Sequence, residues 1–169
     1  MNCPGSVKAE EGLGEGSSVF AQEGTNAHEL ADHCLVNGED AVLYEGVEGH
    51  FEFDVTQEMA ENVQKYLDYV RSLPGDMFSE QRVEFDEWVP GGFGTADAVI
   101  IQDGLCTVVD LKYGKGVPVS AENNPQLKLY ALGVYAHFSF IYEIRRFRLA
   151  VVMPRYGADG YIDEWEIDV

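Results

Sequence analysis

The sequence predicts an α/β (α+β) fold, a central mixed sheet of about five strands flanked by helices. Three observations carry this expectation. Segments of helical and strand periodicity follow one another in the order helix, helix, three strands, helix, two strands, a pattern that layers helices on one sheet. The clearest strand-forming run, "GTADAVIIQDGLCTVVDLK" at 94–112, is interrupted by Asp103-Gly104, a strong signal for a two-residue hairpin turn. "NNPQLKLYALG" at 123–133 then opens a helix, with Asn124 as cap and Pro125 in the first turn.

The elements follow in order. Residues 1–22, rich in Gly, Ser and Glu, read as a loose arm. Residues 24–37, "GTNAHELADHCLVN", read as a short helix with Thr25 as N-cap and Gly38 as its stop. Residues 56–73 read as a longer helix, because Met59, Val63, Leu67, Val70 and Leu73 form one apolar stripe before "LPG" ends it. Residues 80–89, "EQRVEFDEWV", alternate around Val83 and Phe85 as a strand does. The hairpin supplies two strands, residues 124–138 a helix, and "RRFRLAVVM" and "YIDEWEIDV" two more strands. A chain of 169 residues is long enough for one domain with a real core, residues 1–169.

Composition narrows the function classes. No apolar run approaches the roughly 18 residues of a membrane span, and the start "MNCPGSVKAEEG" lacks the apolar centre of a signal peptide. Cys3, Cys34 and Cys106 are odd in number and widely spaced, which points to a reducing cytoplasm and no disulfide framework. The net charge is −19, which opposes non-specific binding to phosphates. Between Lys112 and Arg155, however, seven basic residues face only Glu122 and Glu143. Two readings stand: chance clustering on an acidic protein, or one basic face on an acidic body.

The hairpin fixes a register. With Asp103-Gly104 as the turn, Gln102 faces Leu105, Ile101 faces Cys106, Val99 faces Val108 and Asp97 faces Asp110, provided no bulge intervenes. Asp97, Asp110 and Lys112 then end a face that is otherwise apolar. Two close carboxylates raise each other's pKa unless a cation compensates. Lys112 supplies one positive charge, and a hard divalent ion such as magnesium would supply two. Spacing alone leaves this reading open beside another, an edge ion pair with one Asp turned to solvent.

The string Gly94-Thr95-Ala96-Asp97, with Asp110-Leu111-Lys112 thirteen residues on, resembles the core motif of the PD-(D/E)XK nuclease superfamily. "EGTNAHELA" offers His28 and "PQLKLYA" offers Gln126 and Tyr130, which sharpen the resemblance toward the RecB-like and Cas4-like branch. With "NCPGSV" and "LKYGKGVPVSAENNPQLKLYALG" the chain resembles a phage-associated family of such nucleases, from Cys3 to about Trp165. The superfamily's usual Pro-Asp pair reads Ala96-Asp97 here.

The resemblance implies a restriction-endonuclease-like core and a divalent-metal-dependent deoxyribonuclease. It implies an exonuclease of phage or prophage DNA recombination or repair, acting on DNA beside recombination proteins, in the cytoplasm and away from membranes. Asp97 and Asp110 would hold one or two Mg2+ or Mn2+ ions, with the Leu111 carbonyl and His28 as further ligands. The imidazole would tilt the preference toward manganese. Lys112 would orient or deprotonate the attacking water, or stabilise charge in the transition state. Gln126 and Tyr130, one helical turn apart, would position substrate or lysine. Lys115, between Gly114 and Gly116, could touch a phosphate, or be a solvated turn lysine. Glu23 suits the start of the His28 helix, and His33, His50 and His137 belong to no motif. An iron–sulfur cluster of the kind some Cas4-like relatives hold is not expected, because no cysteine follows Cys106; Cys3 reads as structural. The chain reads as trimmed or naturally short of flanking helices. The rival reading is a non-catalytic nucleic-acid or protein-binding module that keeps the fold.

Overall fold

The computed structural model describes residues 15–169. Five strands form one sheet in the order β1-β2-β3-β4-β5, comprising Asp76–Glu84, Phe93–Gln102, Gly104–Leu111, Ile144–Met153 and Tyr161–Asp168. All neighbours are antiparallel except β3 and β4, which run parallel. That parallel pair needs a crossover, and α3 (Pro125–Phe138) supplies it. The helices α1 (Glu15–Asn37) and α2 (Gln57–Ser72) pack on the opposite face. The sheet is therefore mixed and covered on both faces, as the sequence predicts.

Each face has its own core. Leu30, Cys34, Val63, Tyr66, Leu67 and Val70 of α1 and α2 meet Ala98, Ile100, Val109 and Leu111. Leu127, Ala131 and Val134 of α3 meet Val99, Ile101, Cys106, Val108 and Leu149. The hairpin register comes out as expected from Gln102↔Leu105 through Ile101↔Cys106 to Val99↔Val108. The turn glycine takes φ +76, which a side chain would resist. The expected Asn124 cap forms, and Thr56 caps α2. Thr56 accepts from the Met59 N–H at 3.2 Å, and Asn124 accepts from Gln126 and Leu127 at 3.0 and 3.2 Å.

Three expectations need correction. Residues 15–22 are helical rather than part of a loose arm, so α1 starts well before residue 24. Thr25 is consequently interior and not an N-cap, and its hydroxyl donates to the Ala21 carbonyl at 3.1 Å, one turn back. The rest of the expected arm, with Cys3, lies outside the described residues. The strand expected at 80–89 runs instead from Asp76 to Glu84. Pro90 and Gly91, the latter at φ +72, turn the chain, and Phe85 N–H donates to the Gly92 carbonyl at 3.0 Å to close the loop. Among the described residues no helix is long and apolar enough to cross a membrane.

The third correction shapes the functional end of the sheet. The β2–β3 ladder stops at Ala98↔Val109, so Asp97 is not paired with Asp110. Strict alternation also fails there. Ala96 joins the core under α3 while Ala98, of the same parity, joins the core under α1 and α2. The neighbouring strand switches at the same level, since Phe78 and Val83, of opposite parity, both pack on the α3 side. The residue between them, Glu80, has φ +47, an uncommon conformation for a residue with a side chain. The β1–β2 register is the same on both sides of the break, Ser79↔Ala98 and Gln81↔Ala96, so Glu80 and Asp97 stand opposite each other in a paired kink.

Gly94 fits α3 to this end of the sheet. A Cβ built there would lie 2.4 Å from Tyr130 Cε1, so only glycine lets the tyrosine ring reach the strand. Gly94→Ala should destabilise the protein by about 1–3 kcal/mol, the usual scale of overpacking. In a Tyr130→Ala background the same change should cost much less. Urea unfolding of the four proteins in this cycle measures the difference, and equal costs in both backgrounds would show that the two residues do not compete for space.

A candidate metal centre at the kinked strand ends

The kink turns two carboxylates toward α1. His28 Nδ1 lies 3.2 Å from Asp97 Oδ1 and 4.0 Å from Glu80 Oε1. One ligand atom from each of His28, Glu80 and Asp97 falls within 4.8 Å of the other two. Asp97 Oδ2 accepts the Leu111 N–H at 2.6 Å, which orients the carboxylate. The N–H and C=O of an extended residue face the same neighbour, so the Leu111 carbonyl is directed toward β2, the strand of Asp97.

Asp110 sits beside this trio on the α3 side. Its residue is 3% exposed. Lys112 Nζ donates to its Oδ1 at 3.1 Å and stands 2.8 Å from Oδ2, a contact of charges rather than a hydrogen bond. Lys112 Nζ also donates to Gln126 Oε1 at 3.2 Å, and Gln126 Nε2 donates to Tyr130 Oη at 2.9 Å. Asp110, Lys112, Gln126 and Tyr130 thus form one chain of contacts from the sheet onto α3. Lys112 is not diagonal to Asp97, as an unkinked hairpin would have it; it closes on Asp110 and Gln126.

The structure therefore brings together His28, Asp97, Asp110, Lys112, Gln126, Tyr130 and the Leu111 backbone. Asp110 is tied to the lysine and stands outside the close trio. Glu80 takes a place in the trio that sequence reasoning missed. In an alternating strand a glutamate is ordinary, and only its left-handed backbone turns it toward His28. Tyr66 of α2 was missed too. It is fully buried, and its hydroxyl has no hydrogen-bond partner. The apolar stripe of α2 signals that Tyr66 is buried, and a buried tyrosine hydroxyl normally finds a partner.

The electrostatics mark a site short of positive charge. Burial pushes the Asp110 carboxyl above its ordinary value, against the pull of Lys112, and nearby Asp97 adds to the rise. Burial, then Asp97, raises Glu80. At His28 burial favours the neutral ring, but the hydrogen bond and charge of Asp97, with Glu80 and Asp110, outweigh it and leave the pKa above 6.5. Burial and the charges of Asp97, Glu80 and Asp110 hold the Tyr66 proton on tightly. Imidazole with carboxylate oxygens is a donor set suited to manganese or magnesium.

Of the two readings of the basic segment, clustering without a free basic face fits the arginines. Arg146 and Arg148 pair with Glu166 of β5 at 3.0 and 2.8 Å, and Arg145 with Glu143 at 2.8 Å. Arg146 is opposite Leu105, five residues before Asp110, roughly 16 Å away at about 3.3 Å per residue. Arg146 and Arg148 are neutralised by an acid 20 and 18 residues away in sequence and Arg145 by one two residues away, and all three lie toward the other end of the sheet. Nearer the site, Arg155 binds Glu23 at 2.8 Å and Glu58 at 3.1 Å, and Lys115 binds Glu58 at 2.8 Å. Glu23 is thus a partner of Arg155. Lys115, 59% exposed at its side chain, is a loop cation held by Glu58.

The family described as Protein of unknown function (DUF2800) matches the chain over residues 1–169. No solved structure matches it.

His28 links stability to pH. Its folded pKa is raised, so its contribution is fully present below about 6.5, the unfolded value, and is lost as pH rises through the folded value. The metal-free protein should melt at a lower temperature at pH 8 than at pH 6. Added Mn2+ should raise the melting temperature more at pH 8, where no proton competes for the imidazole. Differential scanning fluorimetry in EDTA and in Mn2+ measures both effects. In His28→Asn the manganese shift should largely vanish at both pH values.

Proposed function

We propose that this chain, which belongs to the DUF2800 family, is a divalent-metal-dependent deoxyribonuclease of the PD-(D/E)XK, RecB-like type. The observation that carries the reading is the adjacency of two groups. The His28–Glu80–Asp97 trio lies beside the Asp110–Lys112–Gln126–Tyr130 chain at one end of the sheet. A site that only binds nucleic acid has little use for a buried carboxylate fixed against an ammonium.

His28, Glu80, Asp97 and Asp110 would hold one or two Mg2+ or Mn2+ ions, with the Leu111 carbonyl directed to the same side. When bound, a divalent ion supplies Lewis-acid charge for the scissile phosphate and lowers the pKa of water. The chain's own residues do the rest. Asp110 and Gln126 fix Lys112 Nζ from two sides, so that its charge is already in place where negative charge grows during in-line attack. Tyr130 anchors Gln126 and limits its rotamers. His28 ties α1 to β2 through Asp97, and Lys115 would exchange Glu58 for a flanking phosphate. In this reading the substrate is DNA, cleaved at its ends during phage or prophage recombination or repair.

Lys112 separates an enzyme from a binding module. A group that acts on the transition state lowers turnover when lost, with little loss of ground-state affinity. Lys112→Met keeps the aliphatic length and removes the charge. Turnover on end-labelled linear DNA with Mg2+ or Mn2+ should fall by at least about a hundredfold. DNA affinity should change by only about threefold, as expected for one exposed ionic contact. A wild-type chain that binds DNA and cuts neither linear nor circular DNA with any divalent ion would favour the binding module. A Lys112→Met protein that cuts normally would place the chemistry elsewhere.

A further inference from the structure

Tyr66, in the middle of α2, carries a polar group that nothing else in the fold uses. The residue is 1% exposed, and its hydroxyl makes no hydrogen bond. A buried hydroxyl that has given up water without gaining a partner destabilises a fold, and such groups are few in folded proteins. Phenylalanine would fill the same space without that penalty, so the hydroxyl itself calls for a reason.

Its position supplies one. Tyr66 belongs to the core between the two helices and the sheet, together with Ala27 and Ala31 of α1, Ala98 of β2 and Leu111 of β3. Ala27 precedes His28 and Ala98 follows Asp97 in the chain, and the Leu111 N–H is the donor to Asp97 Oδ2. Burial first, and then the charges of Asp97, Glu80, Asp110 and Asp32, hold the tyrosine proton in place. The group therefore stays a hydroxyl, able to donate, in a neighbourhood of carboxylate acceptors.

The trio changes its donors when it takes up a cation. His28 Nδ1 stands 3.2 Å from Asp97 Oδ1, and the imidazole proton lies between them. A histidine ligand must be deprotonated, so this proton leaves on metal binding, and Asp97 loses a donor as its charge is drawn to the ion. Ligating carboxylates are held in orientation by hydrogen bonds of their own. The Leu111 N–H supplies one, to Oδ2. We propose that Tyr66 supplies the other: it is a positioning residue, which donates its hydroxyl to the Asp97 carboxylate when a divalent ion occupies the centre. This role rests on the metal-centre reading of the trio, and it makes α2 part of that centre.

Tyr66→Phe removes only the hydroxyl, and the test uses the full chain with Mn2+ alone. In EDTA the variant should melt at the wild-type temperature or above it, since an unpartnered hydroxyl is gone and the ring remains. In isothermal titration its Mn2+ affinity should nevertheless fall by about tenfold, the lower end of losing an outer partner of a metal ligand. Tyr113→Phe is the matched control. The Tyr113 hydroxyl is also buried without a partner, but it sits with Arg155, Glu23 and Glu58 rather than with the trio, and its loss should leave Mn2+ affinity unchanged. A Tyr66→Phe protein that binds Mn2+ as tightly as wild type overturns the role of Tyr66 and leaves the metal centre standing. So does an equal loss of affinity in Tyr113→Phe, or a melting temperature of Tyr66→Phe in EDTA clearly below that of wild type. A wild-type chain that takes up no Mn2+, or takes it up equally well after His28→Asn, overturns the metal centre and the role of Tyr66 together.

Discussion

The site depends on one backbone constraint, the left-handed turn of Glu80 opposite Asp97. A regular β1–β2 ladder would send these side chains to faces dictated by alternation, and neither would be presented to α1 as it now is. The paired kink lets both carboxylates leave the ladder at one level without shifting the register on either side. Residues held in sparsely populated backbone regions cost on the order of 1–3 kcal/mol and persist where their surroundings enforce them. Here the enforcement comes from intact pairing both before and after the break, Ser79↔Ala98 and Gln81↔Ala96.

The helices are fitted to that kink by specific attachments. Arg155, at the end of β4, reaches Glu23 of α1 and Glu58 of α2, with Tyr113 beneath its guanidinium at 4.6 Å. Its side chain is only 6% exposed, so the charge is held by its two partners rather than by water. Arg71 performs a similar role at the other end of α1, pairing with Asp40 at 2.7 Å and donating to the Cys34 carbonyl at 3.2 Å. The angle at which α1 offers His28 is therefore set by the Glu23 ion pair before it, the Arg71 hydrogen bond to Cys34 after it and the apolar core between them. On the opposite face, Gly94 and Gly133 let α3 approach the strands closely, which brings Gln126 within reach of Lys112.

What could be read from the sequence followed from local chemistry. Asp103-Gly104 pinned the hairpin, and alternation then placed Val99, Ile101, Cys106 and Val108 on one face. Asn124-Pro125 marked the helix that carries Gln126 and Tyr130. The positions of His28, Asp97, Asp110 and Lys112 came from spacing and from a resemblance, and they converge on one end of the sheet. What could not be read depended on distant partners or on backbone exceptions. Glu80 alternates like any surface strand residue until its φ is known. The basic segment left a free face open as one reading because most of its neutralising acids, Glu166, Glu58 and Glu23, lie far away in sequence. Thr25 resembled a cap because the helical residues before it are rich in Gly and Ser. His33 and His50 are seventeen residues apart and meet only because the chain after α1 folds back.

The central claim is that the kink builds a metal centre from His28, Glu80 and Asp97 beside Asp110. Anomalous diffraction from crystals of the protein soaked in MnCl2 tests it most directly, because manganese scatters anomalously and the protein's light atoms hardly do. The account predicts a strong anomalous peak among His28 Nδ1, Asp97 Oδ1 and a Glu80 carboxylate oxygen, with Asp110 or the Leu111 carbonyl completing the protein ligands. Crystals showing manganese elsewhere on the surface and none among these atoms would contradict it.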